Sequence, residues 1–573
     1  MDLTVARALA RAGGWRAGLA ALLAVLQGVA PTAAVVATGQ LIDAVVSSDS
    51  VGAVRGLVLF GVASVGGVVA SAVLDHLVPA LDGRHAAATH EAIADITLGT
   101  PGIAALEAPT TAAELAALAE AERADGFTRA AASAREVITR RTTGLAALVL
   151  LLSLAWWAPL VMVAGWRGMA VAVRRWIDHS AAVSAGAGAS TLRRPRYLRE
   201  LATGTEAAKE VRLYGLAGWL VRGYADTYHA ALTALWRDRA TDLRGIGAAV
   251  AGLGVAHLAV LGYAGWAAGT GAVSVAGLAV AVQAVLGSSA LGFLGEPEYA
   301  LGRAREVARR IQRLAAGTPP PRTPVIHEGR KGAGAIRLRG VRFTYPGRGE
   351  PTLDGIDLDV PAGQSIAVVG VNGAGKSTLV KLLCGLYDPD SGSVEVDTGL
   401  GVIFQNFTRY ELPLRDNVSL TPRDEDTLVR ALTSAGGADL VDLGWDTPLC
   451  AAQAGGRDVS GGQWQKVALA RALAAVDDGA GVLVLDEPTA ALDVRAEVEL
   501  FDRFRAVAGS VTTVLVSHRM ASVCRADRIV VLDGGRIAED GAHAELMALG
   551  GRYAAMFTVQ AARFAEVEEH SRG

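Results

Sequence analysis

Long uncharged apolar runs fill the first half of the chain and are absent from the second. Residues 17–42 and 56–74 contain no Asp, Glu, Lys or Arg, residues 142–173 contain only Arg167, and 245–295 is a stretch of 51 residues with none. A bilayer crossing takes about 20 apolar residues, so the last run is long enough for two helices, with Gly269-Thr270-Gly271 as the turn between them. Charge decides the parity. Arg7, Arg11 and Arg16 precede the first run, six Arg lie in 75–141, and eleven Arg and Lys209 lie in 174–244. All three regions should be cytoplasmic by the positive-inside tendency, which requires an even number of crossings. The run 142–173 is therefore read as a tight helical hairpin turning near Trp156-Trp157-Ala158-Pro159, two tryptophans suiting an interfacial belt. Six spans follow, at about 17–42, 54–76, 138–156, 158–176, 245–268 and 273–295. The two long Arg-bearing segments between them read as helical extensions into the cytoplasm. The first run is too long for a signal-peptide core and lacks a small-residue cleavage site.

Gly317-Thr318-Pro319-Pro320-Pro321-Arg322-Thr323-Pro324 breaks the pattern. It marks a linker over 316–334, between a membrane domain over 1–315 and a domain over 335–565, with 566–573 as a tail. Beyond the linker, short apolar runs alternate with Gly/Pro turns, the pattern of an α/β fold. Composition agrees: the chain is 51% hydrophobic but only 19% charged, below the roughly 25% charged of soluble domains. A net charge of −3 gives no electrostatic case for nucleic acid. The three cysteines, Cys384, Cys450 and Cys524, are widely spaced without a histidine cluster, which argues against a metal site. Of 54 basic residues only Lys209, Lys331, Lys376, Lys381 and Lys466 are lysine. With abundant Ala, Gly, Val and Arg, that suggests the coding bias of a GC-rich bacterial genome.

Lys376 stands where chemistry asks for it. The apolar strand candidate Ile366-Ala367-Val368-Val369 leads into Gly370-Val371-Asn372-Gly373-Ala374-Gly375-Lys376-Ser377, a GxxxxGK[ST] loop between strand and helix. The glycines let backbone N–H groups converge on phosphate oxygens, and the following helix N-terminus, with Thr378 in its first turn, adds partial positive charge. Lys376 should reach the β- and γ-phosphates, and Ser377 should ligate Mg²⁺. Val482-Leu483-Val484-Leu485 reads as a strand buried on both faces. Asp486 at its end is placed to hold Mg²⁺, and Glu487 beside it to take a proton from an attacking water.

Val459-Ser460-Gly461-Gly462-Gln463, running into Trp464-Gln465-Lys466-Val467-Ala468-Leu469-Ala470-Arg471, resembles the signature of ABC ATPases. The resemblance implies that Ser460, Gly461, Gly462 and Gln463 face an ATP held by an opposing domain. Further elements follow in family order. Tyr345 looks like the aromatic that stacks on adenine, Gln405 like the Q-loop glutamine that senses Mg²⁺ and water, Asp493 like the D-loop aspartate, and His518 like the switch histidine on the γ-phosphate. The membrane-then-ATPase order is similar to ABC exporters, and 102–109 and 208–215 resemble their two coupling loops. The chain departs from the pattern at Val459, where Leu is usual, and in a short connection between Ser391 and Gln405.

The expected fold is thus a multi-domain membrane protein, with six transmembrane helices followed by an α/β P-loop ATPase domain. The implied function is ATP-driven export of a small amphipathic molecule or peptide, with ATP and Mg²⁺ as cofactors. The expected setting is a bacterial plasma membrane, with the N-terminus and ATPase cytoplasmic. Partners are the bilayer and a second copy or related half-transporter. A lipid flippase or metal-chelate importer of the same fold, or a membrane sensor, are the alternatives. For the cargo, Arg167 could meet an anionic group, and Trp166, His257 and Tyr263 could line a cavity; snorkelling and packing are the competing roles.

Overall fold

The computed structural model describes residues 3–185, 187–205, 207–240, 243–292, 295–318, 332–487 and 511–560. Most of the expected linker, Asp493 and the tail lie outside these residues. The chain divides into two compact units, Met1–Asp95 with Ala113–Ala316 and Ile96–Ala112 with Gly317–Gly573.

The first unit is helical: α1 (Leu3–Gly13), α2 (Trp15–Val46), α3 (Ser50–Leu98), α5 (Pro109–Arg123), α6 (Ala130–Leu151), α7 (Ala158–Ala185), α8 (Ala187–Thr203), α9 (Ala208–Leu213), α10 (Ala217–Ala240), α11 (Leu243–Gly269), α12 (Val275–Gly287) and α13 (Glu296–Gly317), with α4 (Ala104–Glu107) falling in the second unit. Small residues make its contacts close. Ala20 and Ala24 of α2 pack with Leu74, Val78 and Leu81 of α3 and with Ala130, Ala131 and Ala134 of α6. Thr139 and Thr143 of α6 donate to the α2 carbonyls of Ala24 and Gly28, at 3.2 and 2.8 Å, the kind of side-chain bond that ties helices where water is scarce. Asp82 accepts from the Ala131 and Ala132 amides (2.7 and 3.2 Å), satisfying two unpaired donors at the start of α6. Large apolar side chains such as Leu22, Val58, Val62, Val65 and Leu258 are left exposed.

Among the described residues, four stretches are long and apolar enough to cross a membrane: Trp15–Val46, Ser50–Leu98, Gly245–Gly269 and Val275–Gly317. The expected third and fourth spans fall on α6 and α7, which do not reach that standard. Arg135, Glu136, Arg140 and Arg141 leave only the last ten residues of α6 uncharged, and Arg167, Arg174 and Arg175 interrupt α7. The sixth expected span, 273–295, also differs. The helix runs only to Gly287, tightens into a 3-10 turn over Ser288–Leu291, and resumes at Glu296. Side chains from elsewhere hold the break. The Trp166 indole donates to the Ser288 hydroxyl at 3.1 Å. The Arg141 guanidinium donates to the carbonyls of Leu291 and Gly292 and pairs with Glu298. Carbonyls that lose their helical partners at such a break need donors of this kind.

The second unit holds two sheets. β1 (Ile336–Phe343), β2 (Leu353–Val360) and β4 (Ser391–Val396) form an antiparallel sheet in the order β2-β1-β4. β3 (Ser365–Val369), β5 (Leu400–Ile403), β6 (Val482–Asp486), β7 (Thr512–Val516), β8 (Arg528–Asp533) and β9 (Arg536–Gly541) form the second, in the order β5-β6-β7-β3-β8-β9. Only β9 runs antiparallel in it. β3 and β6 are buried along their whole length, as continuous apolar strands of a covered parallel sheet should be. The short connection noted in the sequence is real: only Asp397, Thr398 and Gly399 lie between β4 of one sheet and β5 of the other. α14 (Lys376–Leu383) follows β3, and α17 (Gly461–Asp477) packs in a separate core with Leu414 of α15 (Leu414–Val418), Leu428 and Leu432 of α16 (Glu425–Ser434), and Leu440.

Candidate functional site

Adjacent parallel strands deliver their C-terminal ends to one place, where open α/β sheets bind ligands. β3 ends at the phosphate loop, β5 two residues before Gln405, β6 at Asp486 and β7 two residues before His518. The register sets Asp486 opposite Val516, and the Glu487 amide donates to the Val516 carbonyl at 2.9 Å.

The loop is built for close backbone approach. Gly370 has φ +154°, and a Cβ there would sit 2.3 Å from the Leu532 carbonyl oxygen, so no other residue fits. Lys376, buried to 6% exposure, turns its ammonium onto the carbonyls of Gly370 and Val371, at 2.9 and 3.1 Å. Burial holds its pKa below the ordinary lysine value, partly offset by Glu487 and Asp486. A cation hydrogen-bonded to two carbonyl dipoles of the loop is poised to exchange them for phosphate oxygens.

Asp486 is 4% exposed, and its Oδ1 has no hydrogen-bond partner. Burial, and then the charge of Glu487, push its pKa up to about 6, against the opposing pull of Lys376 and the Ser377 hydroxyl bond. An orphaned, hard carboxylate oxygen beside a serine hydroxyl suits Mg²⁺. The raised pKa has a stability consequence. The folded state holds this proton more tightly than the unfolded chain, so the ionised form is penalised. That contribution is favourable below the ordinary aspartate value and is lost as pH rises through about 6. The nucleotide-free Asp486→Asn variant should therefore gain about 2 kcal/mol over the parent between pH 4 and pH 7. Denaturant unfolding at the two pH values checks this; parallel curves for both proteins would contradict it.

Glu487 is the hub. Gln405 Nε2 donates to its Oε2 at 3.0 Å, and His518 Nε2 lies 2.8 Å from its Oε1. Its backbone is left-handed, φ +49°, a conformation that costs a non-glycine residue energy and is stored at functional sites. Ser460 caps α17, accepting from the Gln463 amide while Gln463 Oε1 accepts from the Ser460 amide (3.3 and 2.9 Å). This capping box leaves the exposed Gly461 at the helix start. Arg471, farther along α17, was not singled out by sequence. It donates to the Asn417 and Thr408 carbonyls (2.9 and 3.2 Å) and stacks on Tyr410 at 4.6 Å, so it ties the segment after Gln405 to the signature helix.

Residues 353–490 match the ABC transporter family model. The chain carries an ABC ATPase domain. Curated relatives include an ATP-dependent lipid A-core flippase of Thiobacillus denitrificans, 35% identical over 40% of this chain and 42% of that protein. A multidrug efflux ATP-binding/permease protein of Mycobacterium tuberculosis is 37% identical over 44% of this chain and 22% of that one. A subtilin transport ATP-binding protein of Bacillus subtilis is 36% identical over 37% and 38%. The chain thus spans less than half the length of these relatives. A bacterial Atm1-family ABC exporter, solved with ATP bound, superposes with a TM-score of 0.73 over 95% of this chain and 99% of that one at 21% identity. The fold is that of an ABC exporter, with the ABC ATPase domain at its C-terminal end.

Of the four residues expected to meet cargo, three make aromatic contacts and one is exposed. Trp166 and His257 touch edge to face at 5.9 Å, and Tyr263 packs edge-on to Trp157 at 5.2 Å. His257 Nδ1 also lies 2.8 Å from the Leu253 carbonyl. Arg167 is exposed, apart from these contacts. Trp166 and His257 are thus engaged with each other, and Tyr263 with Trp157 and Trp266.

Proposed function

We propose that the chain is a half-transporter that exports an amphipathic small molecule or peptide across the plasma membrane of a bacterium, working as a dimer. The observation that carries this reading is the Gln405–Glu487–His518 cluster, set beside Asp486 and Lys376 on an exporter fold. Lys376 binds the β- and γ-phosphates of ATP, and Tyr345 and Thr378 flank the nucleotide. Ser377, Asp486 and Gln405 would hold Mg²⁺, which neutralises charge on the phosphates when bound. Glu487 takes a proton from the attacking water at its carboxylate, while Gln405 and His518 fix the orientation of that carboxylate. Ser460, Gly461, Gly462, Gln463 and Asp493 would complete the site of a second copy or a related half-transporter. Six crossings lie at about 17–42, 54–76, 138–156, 158–176, 245–268 and 273–295, the third continuing past the end of α6 and the last interrupted after Gly287, with α4 and α9 as the coupling helices.

The helices 138–156 and 158–176 keep their arginines at the ends or toward a cavity, and Arg167 with Trp166, His257 and Tyr263 lines the route of the cargo. Reconstituted in proteoliposomes, the protein should hydrolyse ATP and move an amphipathic dye or peptide toward the lumen when its ATPase domain faces outward. ATP hydrolysis without flux of any member of an amphipathic panel would favour a sensor; flux out of the lumen would favour import. A lipid flippase is the second reading, favoured by the flippase relatives, and labelled-lipid translocation distinguishes it.

A further inference from the structure

The helix after the phosphate loop is occupied at both ends. Its N-terminus is the phosphate site. Its C-terminal turn meets α4, the short helix over Ala104–Glu107 that belongs to the same compact unit. The Ile103 amide donates to the Leu386 carbonyl at 2.8 Å. Gly102 makes that approach possible: its φ is +67°, and a Cβ there would lie 2.5 Å from the same oxygen. The Tyr387 hydroxyl, on a side chain only 4% exposed, donates to Glu107 Oε2. Lys381 Nζ lies 3.9 Å from Glu107 Oε1. One carboxylate thus restrains two side chains of the ATPase domain.

Both of those side chains pack on the aromatic expected to hold adenine. Lys381 Nζ sits 5.5 Å from the centroid of Tyr345 and 5.4 Å from that of Tyr387. Tyr387 meets Tyr345 edge-on at 5.4 Å, and Phe343 meets each of them at 5.0 and 5.2 Å. The Tyr345 hydroxyl lies 3.2 Å from Thr378 Oγ1, in the first turn of α14. Arg348 also lies over the ring, at 6.0 Å; of the partners of Tyr345, Tyr387 and Lys381 are the two that meet Glu107.

We propose that Glu107 is a positioning residue for the base of the nucleotide. Its carboxylate holds Tyr387 and Lys381, and these hold Tyr345 in the orientation that stacks on adenine. By the same contacts, occupancy of the base site is felt at 102–109. The inference rests on the ATP-binding role proposed above. The phosphates are gripped elsewhere, by Lys376 and the loop amides, so the effect of Glu107 should be confined to the base.

The test uses the full-length protein in nanodiscs, with Glu107→Gln, Glu107→Ala and Tyr387→Phe. Calorimetry measures binding of ATP and of inorganic tripolyphosphate, a probe without a base, each with magnesium. ATP affinity should fall roughly 3- to 10-fold in each variant, the worth of one or two cation–π and charge-assisted contacts, and tripolyphosphate affinity should not change. Combining Glu107→Ala with Tyr345→Ala should cost no more than Tyr345→Ala alone. Unchanged ATP affinity, equal weakening of both ligands, or additive losses in the double variant would each overturn the proposal. Binding is read without turnover, so a protein that binds ATP and does not hydrolyse it defeats the transporter reading while still testing this one.

Discussion

Glu487→Gln should reduce ATP turnover by two to three orders of magnitude and leave ATP binding intact. General-base assistance is worth about 10²–10⁴-fold, and Glu487 is the carboxylate held by both Gln405 and His518. An amide at this position keeps the shape and can still accept from one neighbour and donate to the other, so the cluster need not rearrange. It cannot take the proton. Removing its charge also relieves Asp486, whose raised pKa owes its second largest contribution to Glu487. The empty variant should therefore be at least as stable as the parent at pH 7. Steady-state hydrolysis and calorimetric ATP binding decide the matter, and turnover within twofold of the parent would remove Glu487 from the role of base.

Lys376→Ala should separate binding from stability in the opposite sense. The ammonium is buried and bonded to two neutral carbonyls of its own loop, and burial already depresses its pKa. A methyl group in its place takes a poorly solvated cation out of the empty protein, so unfolding without nucleotide should shift little. The loss appears with ligand. Charged hydrogen bonds contribute about 1.5–3 kcal/mol each, which predicts ATP binding weakened by roughly two orders of magnitude. Thermal unfolding with and without magnesium ATP tests both halves. A variant that loses stability when empty yet keeps its nucleotide-dependent rise would show that Lys376 is structural.

The candidate nucleotide site is legible in the sequence because its residues lie close together along the chain. A strand, a glycine loop and a lysine stand within a dozen residues, and a fully apolar strand ends in Asp486-Glu487. What sequence missed depends on distant partners. The interruption after α12 is held by Arg141 and Trp166, each more than a hundred residues away along the chain. Ser288, Ser289, Gly292, Gly295 and Pro297 are local break signals, but without a charge before Glu296 the stretch reads as part of one apolar run. Glu107 and Tyr387 are 280 residues apart; the resemblance of 102–109 to a coupling loop did not single out Glu107 or its partner. One signal was present: Lys381 is among five lysines in a chain that otherwise uses arginine. The membrane half was legible by charge counting in its longest runs and less so over 138–176, where arginines fall inside short helices.

The three residues between β4 and β5 leave no slack between the sheets. Thr398 is buried beside Gly334 and Gly481. Around it the amides of Gly334, Gly481 and Thr512 donate to the carbonyls of Gly481, Gly399 and Gly481, at 3.1, 3.1 and 3.0 Å, and Thr512 Oγ1 closes the knot on the Gly334 carbonyl at 2.6 Å. Neither sheet can peel away without breaking this seam. Its amides should accordingly exchange with solvent deuterium among the slowest in the domain, at the rate set by global opening rather than by local fraying.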